Sequence, residues 1–232
     1  MGYTARGCND AWRKKTPFHV FGLVERITNT MNKKQLRTSL RRARRALSAQ
    51  QRRHAADGLK RVALAQNLLL SCRRIGFYSP THEEMNLMPL LNHALWLGKA
   101  CFLPIVPQRF QRRLGFSRLT PLPRWYLNRF GIHEHWTPRP VRAWQLDLLF
   151  VPLVGFDEDC HRLGMGGGFY DASLAYLRRR KVWRKPLLVG VGYECQKADE
   201  IPSDPWDMHL DAVITERKIY WAKKKGQTCV TG

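Results

Sequence analysis

The chain has 232 residues, 44% hydrophobic and 25% charged. That is apolar material enough for a packed core, and it excludes collagen, low-complexity disorder and a disulfide-built miniprotein. Lys and Arg number 40 against 18 Asp and Glu, a net charge of +22, which selects anionic partners (nucleic acid, anionic lipid, nucleotides, polycarboxylate substrates) and nothing finer. The longest apolar run, Leu148 to Phe156, is far too short to span a membrane. The six cysteines stand at least 29 residues apart, which excludes a zinc ribbon or redox dithiol and predicts free thiols in a reducing cytoplasm.

Residues 1–30 carry neither helical nor strand period. Arg13-Lys14-Lys15 and the patch Phe18 to Val24 imitate a signal peptide, but His19 and Gly22 dilute the apolar region and no cleavage site follows. A disordered extension is expected there, with Met31 a candidate start. From Asn32 the spacing of Leu36, Leu40, Ala43 and Leu47 predicts a helix. Ser48 followed by Gln51 has capping-box form and should open a second helix reaching about Leu70. Arg74 to Tyr78 reads as a strand, and Leu87 to Leu95 as an amphipathic helix stopped by Gly98.

Cys101 to Val106 reads as another strand. Gln108 to Arg142, rich in Arg, Pro and aromatics, is expected to form loops with one or two short strands. His133 and His135 within it read as two loop histidines. The apolar run Asp147 to Leu153 predicts a strand buried on both faces. A helix from about Phe169 to Arg180 and strands at Leu187 to Val191 and Asp211 to Thr215 complete the pattern. Such alternation predicts an α/β fold: a single layered domain over residues 31–232, with a mainly parallel central sheet flanked by helices.

Gly164, Gly166, Gly167 and Gly168 lie between a buried strand and a helix. Glycines there let backbone N–H groups approach an anion, at the strand end where open α/β sheets bind ligands. The spacing fits neither a P-loop nor a dinucleotide fingerprint, so a phosphate cradle is predicted without a type. Asp171 could cap the following helix or hold a metal, and Asp207 could supply a second carboxylate. Lys33 to Arg53 holds nine basic residues and no acidic one, and reads as a solvated helix face. Lys33 and Arg37, four apart, could reach one phosphate chain.

The segment RLGMGGGFYD, Arg162 to Asp171, preceded by VPLVGFDEDC, resembles the signature of the 5-formyltetrahydrofolate cyclo-ligase (methenyltetrahydrofolate synthetase) family. The likeness runs from KKQLR at Lys33 to the DAVIT segment at Asp211, through YSPTHEEMN, NRFGIHE and PWDM. It implies an ATP- and Mg²⁺-dependent cyclisation of 5-formyltetrahydrofolate to 5,10-methenyltetrahydrofolate. It further implies Lys33 and Arg162 as catalytic residues. ATP would be bound by Lys33, Lys34, Gln35, Leu36 and Arg37 together with Arg162, Leu163, Gly164, Met165, Gly166, Gly167, Gly168, Phe169 and Tyr170. Folate would be bound by Thr81, Asn86, Phe130 and the loop from Met165 to Tyr170, and Mg²⁺ by Asp171 and Asp207. The positive surface suits a polyglutamylated folate, a monomer is expected, and nucleic acid would bind only through nonspecific electrostatics. Two rival readings are a basic RNA-associated protein that keeps a ligase-like scaffold without turnover, and a non-catalytic folate-binding module.

Overall fold

The computed structural model describes residues 32–107, 111–121, 124–129, 131, 133–179 and 185–223. The extension expected over 1–30, the start at Met31, and Phe130 lie outside these residues. Helix α1 (Lys33–Arg45) starts at a full capping box: the Asn32 side chain accepts the Lys34 and Gln35 amides while the Gln35 side chain accepts the Asn32 amide. Helix α2 (Ala49–Ala65) opens the same way at Ser48 and Gln51. It ends earlier than the expected Leu70 because Asn67 turns left-handed at φ 53°. The Leu68 amide then bonds back to Ala63 O and the Asn67 amide to Leu64 O, a Schellman stop with Asn in the glycine position.

Strand β1 (Arg74–Gly76) is followed by helix α3 (Met88–Trp96), stopped as expected by Gly98 at φ +71°. Strand β2 is Ala100–Ile105. The described residues of the expected loop region hold three short strands, not one or two: β3 (Gly115–Arg118), β4 (Trp125–Leu127) and β5 (His133–His135). The two histidines are therefore strand residues, and His135 is buried, its Nδ1 2.6 Å from Ser117 Oγ. Strand β6 (Leu148–Pro152) leads into a hairpin of β7 (Gly155–Phe156) and β8 (Arg162–Leu163), which has too few residues to show a period in sequence.

Helix α4 covers only Phe169–Leu174 and continues as a 3₁₀ turn over Ala175–Arg179, where one helix to Arg180 was expected. The Ser173 hydroxyl donates to Phe169 O at 2.6 Å and accepts the Leu114 amide at 2.7 Å, a local competition that tightens the helix at that point. Strands β9 (Leu187–Val191), β10 (Ala212–Ile214) and β11 (Ile219–Trp221) follow.

Seven strands form one sheet in the order β11-β10-β9-β6-β1-β2-β3, parallel from β10 to β2 and antiparallel at both edges. This is the α/β architecture that the alternation implies. Strand β6 occupies its centre and is buried on both faces. Leu148 and Phe150 pack with α2 and α3, while Leu149 and Val151 pack with Leu174 and Leu177 on the α4 side. Among the described residues no helix is long and apolar enough to cross a membrane.

Candidate active site

The β7–β8 hairpin hangs beyond the carboxyl end of β6, and α1 crosses it. A Cβ on Gly155 would overlap the Leu40 side chain, so glycine at that position is what lets α1 come down onto the hairpin. Leu36 and Leu40 fill the contact with Val154, Leu163, Ala198 and Ile201. The first two turns of α1 are thereby fixed against the glycine loop, and Arg37 Nε donates to Gly164 O at 2.9 Å. Gly166 and Gly168 take φ +98° and +66°, the left-handed backbone that glycine adopts without strain. Gly168 is also the N-cap of α4, with no side-chain cap.

Two ion-pair clusters stand at this loop. Arg162, its side chain only 7% exposed, pairs with Asp171 Oδ1 at 2.5 Å. Asp171 is therefore an ion-pair partner and not a helix cap; it also accepts a long 3.5 Å contact from the Met208 amide. Lys33 Nζ sits between Asp204 Oδ2 at 2.5 Å and Asp207 Oδ2 at 2.6 Å. Burial opposes charge on Lys33, but hydrogen bonds to Asp204 and Asp207 outweigh it and raise its pKa. Burial likewise pushes Asp207 up, and the Asp204 amide and Lys33 ammonium reverse that into a net lowering. Both groups remain ionised at neutral pH.

The structure brings Lys33, Arg37, Arg162, Gly164 to Gly168, Asp171 and Asp207 to one place. Leu36 and Leu163 are buried core residues, so their side chains are given to packing. Lys34 and Gln35 are exposed on α1, Gln35 being engaged in the capping box. Met165 is exposed and Phe169 half-buried. Burial above all pushes the Tyr170 hydroxyl up in pKa; Glu84 adds to the rise and Arg162 opposes it. Thr81 and Asn86 are both exposed on the 79–87 loop. The Thr81 amide donates to Glu84 Oε2, and Asn86 Oδ1 accepts the Met88 amide that opens α3.

Sequence reasoning missed Asp204, the other carboxylate on Lys33, for which the D-P-W-D spacing was the available signal. It also missed a clamp. Arg44, 1% exposed, and Arg45 both hold Glu83, at 3.0 and 2.7 Å. Arg52 Nη1 donates to His82 O at 2.6 Å. The basic run is therefore only partly a solvated face, because Arg44 turns inward to the loop carrying Thr81 and Asn86.

Residues 29–216 match the 5-formyltetrahydrofolate cyclo-ligase family. The chain is similar to the 5-formyltetrahydrofolate cyclo-ligase of Haemophilus influenzae, 33% identical over 194 residues that cover 80% of this chain and 98% of the relative. The mouse protein of that name is 30% identical over 200 residues, covering 82% and 96%. The solution structure of Aquifex aeolicus 5,10-methenyltetrahydrofolate synthetase superposes with a TM-score of 0.72 at 28% identity, covering 85% of this chain and 96% of that one.

Proposed function

The chain belongs to the 5-formyltetrahydrofolate cyclo-ligase family, and on that premise we propose that it cyclises 5-formyltetrahydrofolate to 5,10-methenyltetrahydrofolate with ATP and Mg²⁺, releasing ADP and phosphate. The observation that carries the reading is the meeting of Lys33, Arg37, Arg162, Asp171 and Asp207 around the glycine loop. A formyl amide is a poor electrophile. The formyl oxygen takes the γ-phosphoryl group as its bond to ADP breaks. The second folate nitrogen then attacks the formyl carbon and loses its proton, and the carbon–oxygen bond breaks to release phosphate. Such chemistry depends on positioning and charge neutralisation, with no protein nucleophile required.

In this reading Lys33 and Arg37 hold the phosphates, with Lys33 pre-oriented by Asp204 and Asp207. Arg162, fixed by Asp171, faces the charge that develops on the transferring group. Lys34, Gln35 and the backbone of Leu36 and Leu163 complete the nucleotide side. Thr81, Asn86, Phe130 and the Met165–Tyr170 loop hold the folate, with Phe169 and Tyr170 flanking the pterin. Asp171 and Asp207 offer only carboxylate oxygens, the donors Mg²⁺ takes alongside phosphates, and each already faces a cation. The two would hold that ion, which supplies neutralisation of phosphate charge.

A cytoplasmic setting is supported by Cys72, Cys101, Cys160 and Cys195, all free thiols. The test is direct: incubate the protein with 5-formyltetrahydrofolate, ATP and Mg²⁺ and follow the methenyl chromophore. Product is expected only with all three present. Folded protein that makes none at saturating substrates overturns the reading.

A further inference from the structure

A cavity of about 620 Å³ opens at the end of the sheet opposite the glycine loop. Arg74 and Ala100, the paired first residues of β1 and β2, line it, whereas the glycine loop follows the β7–β8 hairpin that extends beyond the last residues of the parallel β6. Among the described residues, four arginines face this cavity, Arg74, Arg118, Arg124 and Arg139, and no acidic side chain lines it. The neighbouring carboxylates are committed elsewhere. Asp147 accepts the Arg73 and Arg74 amides and pairs with Lys185 at 2.7 Å. Glu134 alternates to the other face of β5 and accepts from the Val106 amide, the Tyr126 hydroxyl and Asn128.

Two of the cations are fixed on rings. The Arg74 guanidinium lies 5.3 Å from the Phe102 centroid and that of Arg124 5.8 Å from Trp136. Trp136 is half exposed and lines the cavity, so part of its ring is accessible to a ligand beside the cations. His135, in the wall, is pushed down in pKa by burial and adds no charge at neutral pH. Four like charges around one cavity repel one another, and a bound polyanion relieves that repulsion. Cations beside exposed aromatic faces are what phosphate-and-base recognition uses, the cations on the backbone and the rings under the base. The volume suits one nucleotide-sized unit.

We propose that this cavity is a second ligand site, distinct from the glycine loop, that binds a nucleoside phosphate unit, either free or within a single-stranded RNA. Its test is a fluorescence-anisotropy titration of the full chain with a labelled ten-nucleotide oligouridylate, repeated with UMP as competitor. Arg118→Ala/Arg124→Ala/Arg139→Ala should weaken binding about tenfold or more, and Trp136→Ala about tenfold even at high salt, where phosphate contacts fade. Removing three charges from α2 instead (Arg53→Ala/Lys60→Ala/Arg61→Ala) should weaken it less than about threefold. Lys33→Ala/Arg37→Ala should leave it unchanged.

Displacement by UMP identifies a free nucleotide as the ligand; strand binding that UMP does not displace identifies RNA. Failure of the probe to bind, equal losses from the cavity and α2 variants, or loss through Lys33 and Arg37 overturns the proposal. Cyclisation measured on the cavity variants separates this proposal from the first. Unchanged turnover is expected, and its abolition would make the cavity part of the folate site and also overturn the second-site assignment.

Discussion

Asp171 is the third residue of α4, where a carboxylate ordinarily complements the helix N-terminus, yet it turns to the nearly buried Arg162. Asp171→Asn keeps the shape and removes the charge. Two consequences follow from that single change. The Arg162 guanidinium loses its charge-assisted bond, costing about 1.5–3 kcal/mol of stability. Mg²⁺ and the transferring phosphoryl group lose a carboxylate, so turnover should fall about 100-fold or more and its Mg²⁺ dependence should move to higher concentration. Thermal midpoints and a Mg²⁺ titration of turnover check both. A variant that melts earlier but keeps normal Mg²⁺ dependence would confine Asp171 to holding Arg162 and leave the metal to Asp207. The motif residues were legible because glycine spacing and charge are local features. Asp204 was not legible as a partner of Lys33, since that bond spans 171 positions of sequence.

At the scale of elements, α1 ties the glycine-loop cluster to the 79–87 loop: its first turns carry Lys33 and Arg37, and its last turn grips that loop through Arg44 and Arg45. Glu83 is the shared anchor. Hydrogen bonds from Arg45 and then Arg44 hold its carboxyl at about 2, below the ordinary 4.5. A carboxylate depressed on folding stabilises fully above its unfolded pKa, and that contribution fades as pH falls from about 4.5 to about 2. Arg44 Nε and Nη1 are buried with no hydrogen-bond partner among the described residues, so Glu83 is its main compensation. Glu83→Gln should therefore cost about 3 kcal/mol at pH 7, with the difference from the parent protein shrinking as pH approaches 2. Melting curves across that range check it. A loosened loop should also raise KM for the folate more than for ATP. Capping boxes and apolar spacing made α1, α2 and α3 legible in sequence. An arginine on a basic helix gives no sign that its partner lies 39 residues away, and two-residue strands such as β7 and β8 carry no period to read.

The whole molecule carries charged clusters at both ends of its sheet. The parallel strands deliver the glycine loop to one end of the sheet, and the arginine-lined cavity lies at the other. Removing residues 1–30 takes away five basic and two acidic residues and leaves a net charge of +19, so the field that attracts anions persists. The start of helix α1 is satisfied locally, because its capping box closes between Asn32 and Gln35. Lys33, the first residue of that helix, is anchored from the far side of the chain by Asp204 and Asp207. The family match likewise begins only at residue 29. A chain from Met31 to Gly232 should therefore cyclise 5-formyltetrahydrofolate at a rate within about twofold of the full chain. Its thermal midpoint should stay within about 2 °C. Parallel melting and turnover measurements on the two proteins decide the matter. A shortened chain that melts normally but turns over many times more slowly would mean that residues 1–30 reach the site, and that Lys33 is positioned by more than its two aspartates.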